Sequence, residues 1–240
     1  MDRGSFIAAS LAAGLMSPHA VIAANTSAEP APVPKISIDY PGVIEFNCKA
    51  LGLKTGDPSM VAELRERLPA WRAAWDKDGP PLLAELRRTV GKPYKFRESI
   101  AVLHTCEGLN SISYPLILNA RKSLTGGIYG GRIDLFVDDV FHELTHRYIR
   151  DILGNDDRLP FKETPMMLKY QAEAPFVRTH LHLYALQKAI YLRLGLVDTW
   201  NAEVSNKRGR PAEVAPYIRA LDIVDAEGSD VFIAELKNAP

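Results

Sequence analysis

The alternation of apolar and polar residues predicts β-strands in the first part of the chain. Five segments show this pattern, at residues 36–40, 43–48, 99–106, 112–119 and 132–137. Pro41-Gly42 separates the first two segments, and the glycine pairs 126–127 and 130–131 lie before the last one. Because proline and glycine favour turns, these positions are the expected strand boundaries.

A period of three to four residues predicts helices on both sides of these strands. The expected helices begin near Pro58 and at residues 81, 139, 175 and 211, and the last four end near residues 90, 153, 194 and 224. Gly79-Pro80 is expected to break the first helix from the second, and Gly154 is expected to end the third. Along the chain, predicted helices are followed by predicted strands and then by further helices. This order predicts an α+β fold rather than a parallel sheet.

The N-terminus has the pattern of a secretory signal peptide. Arg3 precedes the apolar run 6–16, which is too short for a membrane-spanning helix, and small residues follow at Ala20, Ala23 and Ala24. We therefore expect a signal peptide at 1–24, a Pro/Ala-rich flexible linker at 25–34 and a single domain at 35–240. The protein is then expected to be periplasmic or secreted, with no membrane anchor after cleavage.

The net charge excludes two classes of partner, and the two cysteines raise the question of a disulfide bond. The 29 basic and 29 acidic residues cancel, so the chain has neither the basic footprint of a nucleic-acid binder nor a polybasic membrane patch. Cys48 and Cys106 can pair in an oxidising compartment, although two buried free thiols fit the sequence equally well. The oligomeric state stays open.

The segment His142-Glu143-Leu144-Thr145-His146 carries the chemistry. Histidines four positions apart lie on one face of a helix, so both imidazoles can reach one metal ion. A zinc ion lowers the pKa of its water to about 7, and Glu143 is placed to accept that water's proton as general base. The competing interpretation is a helix with two histidines that only satisfy local hydrogen bonds.

This segment, from Asp139 to Leu153, resembles the active-site helix of the zincin metallopeptidases. The resemblance implies a zincin-like fold: a small mixed β-sheet packed on the histidine helix, followed by a helical C-terminal part. It also implies that an edge strand, either 132–137 or 112–119, binds an extended peptide substrate. Ile149 and Ile152 exclude the metzincin branch, which has glycine and histidine there. Arg147 departs from the family, which usually has an uncharged residue after the second histidine.

A catalytic zinc site needs a third protein ligand. In the thermolysin-like gluzincins that ligand is a downstream glutamate, which favours Glu173 over Glu163 in this chain. His180 lies seven positions after Glu173 and Tyr184 four positions further, so a long helix brings all three to one face. Either Glu173 binds zinc while His180 and Tyr184 stabilise the oxyanion, or His180 is itself the third ligand.

The predicted function is an exported zinc metallopeptidase that acts on peptides or proteins. Peptide deformylases share the histidine motif, but Cys106-Glu107-Gly108-Leu109 has the residues of their upstream segment in the wrong order. The alternative from another class is a non-catalytic, chaperone-like binding protein of the envelope that keeps the fold with a structural zinc or none. A structural site is closed by four protein ligands, whereas a catalytic site keeps one position open.

Overall fold

Four strands form a small mixed sheet ahead of the histidine motif in the computed structural model, which describes residues 32–154 and 162–240. The strands are β1 (Lys35–Asp39), β2 (Glu98–His104), β3 (Ile112–Ser113) and β4 (Leu116–Asn119). Their order is β1-β2-β4-β3; β1 and β4 run parallel to β2, and β3 pairs antiparallel with β4. The short strand β3 therefore lies at one edge of the sheet.

Helices make up most of the described chain, which confirms the α+β class. They are α1 (Val43–Ala50), α2 (Pro58–Val90), α3 (Ile133–Leu153), α4 (Pro165–Lys169), α5 (Pro175–Arg193), α6 (Val197–Arg208), α7 (Pro211–Glu227) and α8 (Ser229–Asn238), with a short 3-10 helix at Ala120–Ser123. The described residues after the sheet contain helices and loops only. Among the described helices, none combines the length and the apolar character that crossing a membrane requires.

Two of the predicted strands are wrong, because residues 43–48 belong to α1 and residues 133–137 begin α3. The predicted strand 112–119 is in fact two short strands, β3 and β4, that pair antiparallel. In α1 the buried side chains are Glu45 and Cys48, three positions apart, while Phe46 is exposed. The burial therefore follows a helical period that the apolar residues themselves do not show. At the start of α3, consecutive residues from Leu135 are buried, and such a run does not distinguish a buried helix from a buried strand.

Helix α2 is continuous where a break at Gly79-Pro80 was expected. Proline removes the hydrogen bond to the carbonyl four residues earlier, and for Pro80 and Pro81 those carbonyls belong to the exposed residues Asp76 and Lys77. Water can therefore solvate them. Gly79 instead allows the Trp75 ring to pack closely against the helix backbone, since a Cβ atom there would lie 2.5 Å from that ring.

Helix α3 is the buried centre of the fold and packs against α2, α5 and the sheet. Phe141, Leu144 and Tyr148 are fully buried along it, and the Tyr148 hydroxyl donates to the Lys92 carbonyl at 2.6 Å. Near its start, the Phe136 ring stacks on Trp71 with centroids 4.5 Å apart. Burying one such side chain contributes about 1.5–3 kcal/mol, so the position of the histidine helix is fixed by its packing.

Cys48 and Cys106 form a disulfide, which joins α1 to the loop after β2. This resolves the choice between pairing and free thiols that the sequence left open. Residues Pro32–Pro240 form one compact unit. The predicted signal peptide, and the predicted linker up to residue 31, lie outside the described residues.

Candidate metal centre

Three histidines converge between α3 and α5. His142 and His146 lie one turn apart on α3, and His180 faces them from α5. One ring nitrogen from each of the three lies within 4.8 Å of the other two. His146 Nε2 and His180 Nε2 are 3.2 Å apart. Two nitrogens bound to one tetrahedral zinc at about 2.0–2.1 Å lie about 3.3–3.4 Å apart, so this spacing fits two ligands of one ion.

Hydrogen bonds on the outer side of the rings orient two of these imidazoles. His180 Nδ1 lies 2.7 Å from the Phe176 carbonyl, which can only accept, so Nδ1 carries the proton and Nε2 has the free lone pair. His142 Nδ1 lies 3.2 Å from Gln187 Oε1. The Gln187 amide donates through Nε2 to Asp138 Oδ1 at 3.0 Å, which fixes Oε1 toward the imidazole. Partners of this kind select the tautomer in which Nε2 binds a metal.

Burial sets the charge of the three rings. Desolvation, together with the neighbouring rings, holds the pKa of His142 and of His146 well below the usual value. Desolvation lowers the pKa of His180 to about 4, against the opposing hydrogen bond to the Phe176 carbonyl. All three imidazoles are therefore neutral near pH 7, and neutral imidazole is the form that coordinates metals.

Glu143 lies beside the histidine group in a buried position. Its Oε2 accepts a 2.7 Å hydrogen bond from Ser113 Oγ, so the edge strand β3 holds one oxygen of the carboxylate. The pKa of Glu143 is raised to about 7, mainly by burial and also by the neighbouring Asp139 carboxylate, while Ser113 and Lys122 oppose the shift. A carboxyl group with a pKa near neutrality can both accept and return a proton.

A polar cavity of about 340 Å³ opens next to this carboxylate, and His142 and Glu143 form part of its wall. Two ion pairs line it: Lys122, which is half-buried, with Asp139 at 2.9 Å, and the buried pair of Lys207 with Glu203. Tyr217 of α7 also lines it, with its ring centroid 4.9 Å from that of His180. Sequence analysis missed these residues, because they come from segments that no motif connects to the histidines.

The glutamates expected as third ligands lie elsewhere. Glu173 Oε1 accepts from Arg219 Nε at 2.8 Å, and Glu163 is an exposed partner of Arg178. Neither belongs to the group that could hold a metal ion, which consists of His142, His146 and His180 among the described residues. Of the two assignments that the sequence left open, the geometry therefore supports His180 as the third ligand.

Tyr184 lies against the histidines but not in the cavity wall. Its ring centroid is 5.7 Å from that of His180 and 6.0 Å from that of His142. Its hydroxyl is buried, with no hydrogen-bond partner among the described residues. His182, on the opposite side of α5, forms a 2.7 Å contact from Nε2 to Glu235 Oε2, which gives it a structural role.

No family model, curated protein or solved structure matches this chain. Its function is therefore argued from the site alone.

Proposed function

We propose that this protein is a zinc-dependent metallopeptidase that hydrolyses peptide bonds with Glu143 as the general base. The observation that carries the proposal is the set of three converging histidines with a buried carboxylate beside them. Nitrogen ligands of this kind suit zinc, and three imidazoles with one open position form a common catalytic zinc site. A closed structural site needs four protein ligands, so a group that has three members within residues 32–154 and 162–240 favours the enzyme over the non-catalytic binding protein.

A bound zinc ion would supply the Lewis acidity that activates water near neutral pH. Glu143 takes the proton of the attacking water and passes it to the leaving amine. Ser113 holds Oε2 through its 2.7 Å hydrogen bond, which leaves Oε1 for the proton transfer. The same bond fixes the orientation of the carboxylate, so the base needs no reorganisation when the substrate arrives.

We assign to Tyr217 the role of stabilising the negative charge that develops on the scissile carbonyl oxygen. It lines the cavity together with Glu143, whereas Tyr184 is fully buried behind the histidines. His180, the other residue considered for this role, is part of the metal-binding group. A phenol hydroxyl that points at the developing oxyanion stabilises the transition state more than the substrate.

The edge strand β3 is the proposed docking site for an extended peptide. It pairs with β4 on one side and ends the strand order, so no strand among the described residues pairs with its other edge, where we place the substrate as a further strand. Ser113 of β3 contacts Glu143, which brings a peptide on this edge to the reacting groups. An edge strand beside the histidine helix is the arrangement that the resemblance to zincins implies, and we extend that fold assignment to this chain as part of the proposal.

Export of the protein, to the periplasm or the medium, completes the proposal. The disulfide between Cys48 and Cys106 supports it, because such bonds persist in oxidising compartments and are rare in the cytosol.

The Glu143→Gln variant tests the proposed role of this carboxylate. Glutamine keeps the size of the side chain and removes the base, so we expect zinc to be retained and cleavage of a mixed peptide library to fall by about a hundredfold or more. Glu66→Gln, at an exposed position of α2, is the matched control and should leave cleavage unchanged. Full activity of Glu143→Gln, or no cleavage by the zinc-loaded wild type, would refute the proposal.

A further inference from the structure

The polar cavity extends from the histidines along helix α3. His142 and Glu143 form part of its wall, and Asp138 and Asp139, one turn earlier on the same helix, line it as well. Positions four apart on a helix are about 6 Å apart along its axis. The cavity therefore begins at the proposed reacting groups, within reach of the side chain of a substrate residue next to the scissile bond.

Two charged side chains in this wall have hydrogen-bonding capacity that the described residues leave unused. Asp138 Oδ1 accepts two hydrogen bonds, at 2.5 and 3.0 Å, whereas no described residue donates to Asp138 Oδ2. The Lys122 ammonium group has three N–H donors, and it uses two of them, for Asp139 at 2.9 Å and for Ser111 Oγ at 3.2 Å. The wall therefore offers an acceptor and a donor to a molecule in the cavity.

Tyr129 adds a hydroxyl group from the glycine-rich loop before α3. Its backbone N–H donates to the Lys122 carbonyl at 2.8 Å. A Cβ atom at Gly127 would overlap the Arg121 carbonyl oxygen, so glycine allows the loop to lie this close to the 3-10 helix. Tyr129 lines the cavity and is only 7% exposed, yet its hydroxyl has no hydrogen-bond partner among the described residues. An unpaired hydroxyl in a buried position costs free energy, which a polar ligand would recover.

A carboxamide group matches this set of donors and acceptors. It has two N–H donors, which suit Asp138 Oδ2, and one carbonyl oxygen, which suits the free N–H of Lys122 and the Tyr129 hydroxyl. A cationic side chain would lie close to Lys122 and Lys207, and an anionic one close to Asp138 and Asp139. An apolar side chain would displace water from these polar groups without replacing its hydrogen bonds.

We propose that the polar cavity binds the carboxamide side chain, of glutamine or asparagine, of the substrate residue next to the scissile bond. This inference rests on the proposed peptidase function and adds the class of substrate. Water in the cavity would satisfy the same wall groups without selecting any side chain. The two interpretations differ in whether peptides that contain a carboxamide bind more tightly than peptides of the same length without one.

Peptide binding can be measured without catalysis. The probes are fluorescein-labelled octapeptides of alanine and glycine, in which glutamine, asparagine, methionine or glutamate replaces one residue at each position in turn. Binding to the zinc-loaded Glu143→Gln variant is followed by fluorescence anisotropy. Methionine has the length of glutamine without its amide, so we expect the better amide peptide to bind about tenfold more tightly than the methionine peptide at one position. The glutamate peptide should also bind more weakly than the amide peptide there.

Removing one hydroxyl from the wall provides the specific test. Tyr129→Phe deletes a group that has no hydrogen-bond partner among the described residues, so the fold should stay intact. In the Glu143→Gln background it should reduce the ratio of amide to methionine binding to about threefold or less and leave methionine binding unchanged. Tyr170→Phe is the matched control, because its hydroxyl donates to Glu227 outside the cavity wall, and it should preserve the ratio.

The outcomes separate this inference from the proposed function. Equal binding of the amide and methionine peptides, tighter binding of glutamate, or no binding of any peptide overturns the cavity as a carboxamide site. An unchanged ratio in Tyr129→Phe overturns it too, because the preference then arises elsewhere. If the zinc-loaded wild type cleaves none of the peptides, the peptidase proposal fails, while the binding ratio still decides whether the cavity recognises a carboxamide. Cleavage of the amide and methionine peptides at equal rates, with equal binding, refutes the carboxamide site alone.

Discussion

At the scale of single residues, the site depends on which nitrogen of each imidazole faces inward. His180 Nδ1 is hydrogen-bonded to the Phe176 carbonyl, and His142 Nδ1 to Gln187 Oε1. The Nε2 atoms of both rings therefore remain for a metal ion. The sequence predicted His142, Glu143 and His146, because their spacing on one helix is local. It could not select the third ligand, because Glu173 and His180 differ in tertiary contacts that no local pattern records.

Replacing the two candidate third ligands separates them. His180→Ala should weaken zinc binding by about a hundredfold or more, since losing a ligand exceeds the 10–100-fold cost of losing an outer partner. Glu173→Gln should bind zinc like the wild type, because Glu173 pairs with Arg219 on the surface. Competition with a chromophoric chelator measures both affinities. Weak binding by Glu173→Gln, with normal binding by His180→Ala, would contradict the assignment.

Tyr217→Phe tests the donor to the developing oxyanion. The change removes one hydroxyl and keeps the ring that packs on His180. We expect kcat to fall by about a hundredfold, the effect typical of losing one such donor, with KM and zinc content nearly unchanged. Tyr184→Phe is the matched control, since its hydroxyl lies outside the cavity wall, and should change kcat little. The reverse pattern would assign the role to Tyr184.

At the scale of elements, helices α3 and α5 supply the three histidines, so their packing forms the site. His146 and His180 are 34 positions apart in the chain, and their nitrogens meet only because Leu181 and Tyr184 of α5 and Leu144 of α3 are buried in one core. A metal ion at this place joins the two helices. Hydrogen bonds add to this packing, among them the one from Gln187 Nε2 of α5 to Asp138 Oδ1 of α3.

Zinc should therefore stabilise the fold. A zinc concentration one hundred times the dissociation constant contributes about 2.7 kcal/mol if only the folded chain binds it. For a domain of this size that corresponds to an increase in Tm of about 5–10 °C. Differential scanning calorimetry with and without a chelator measures the increase. His180→Ala should lose most of it; an equal increase in that variant would show that the ion binds elsewhere.

The sequence predicted α3 from residue 139 onward, the long helix α5 and the strands β1 and β2. It took the start of α3 for a strand, because an unbroken run of buried residues has no period that identifies a helix. It failed at residues 43–48, because the inward side chains there are Glu45 and Cys48 rather than the apolar ones. It also failed at Gly79-Pro80, because exposed carbonyls tolerate the missing hydrogen bonds. A short apolar run, or a single glycine or proline, does not determine the local secondary structure, because tertiary packing decides it.

At the scale of the whole molecule, the disulfide ties the first half of the chain to the sheet. Cys48 and Cys106 are separated by 58 positions, which include the whole of α2. The loop after Cys106 carries Asn110 and Ser111, which line the polar cavity. The cross-link therefore stabilises the wall of the cavity, but it does not contact the three histidines.

Removing this cross-link should lower stability without removing zinc. Closing a loop of this length lowers the entropy of the unfolded chain by an amount equivalent to about 4 kcal/mol. The Cys48→Ala/Cys106→Ala variant should lose about that much free energy of unfolding in urea, and its zinc content should match that of the wild type. Two free thiols in the untreated wild type, titrated under denaturing conditions, would contradict the disulfide itself.

The central claim is an open zinc site with three histidine ligands, and zinc K-edge X-ray absorption on the zinc-loaded protein tests it most directly. The account predicts about one zinc per chain, with three imidazole nitrogens and at least one solvent oxygen at about 2.0–2.1 Å. Glu173→Gln should give the same spectrum. A chain that takes up no zinc, or a zinc ion enclosed by four protein ligands, would contradict the claim and favour the non-catalytic binding protein.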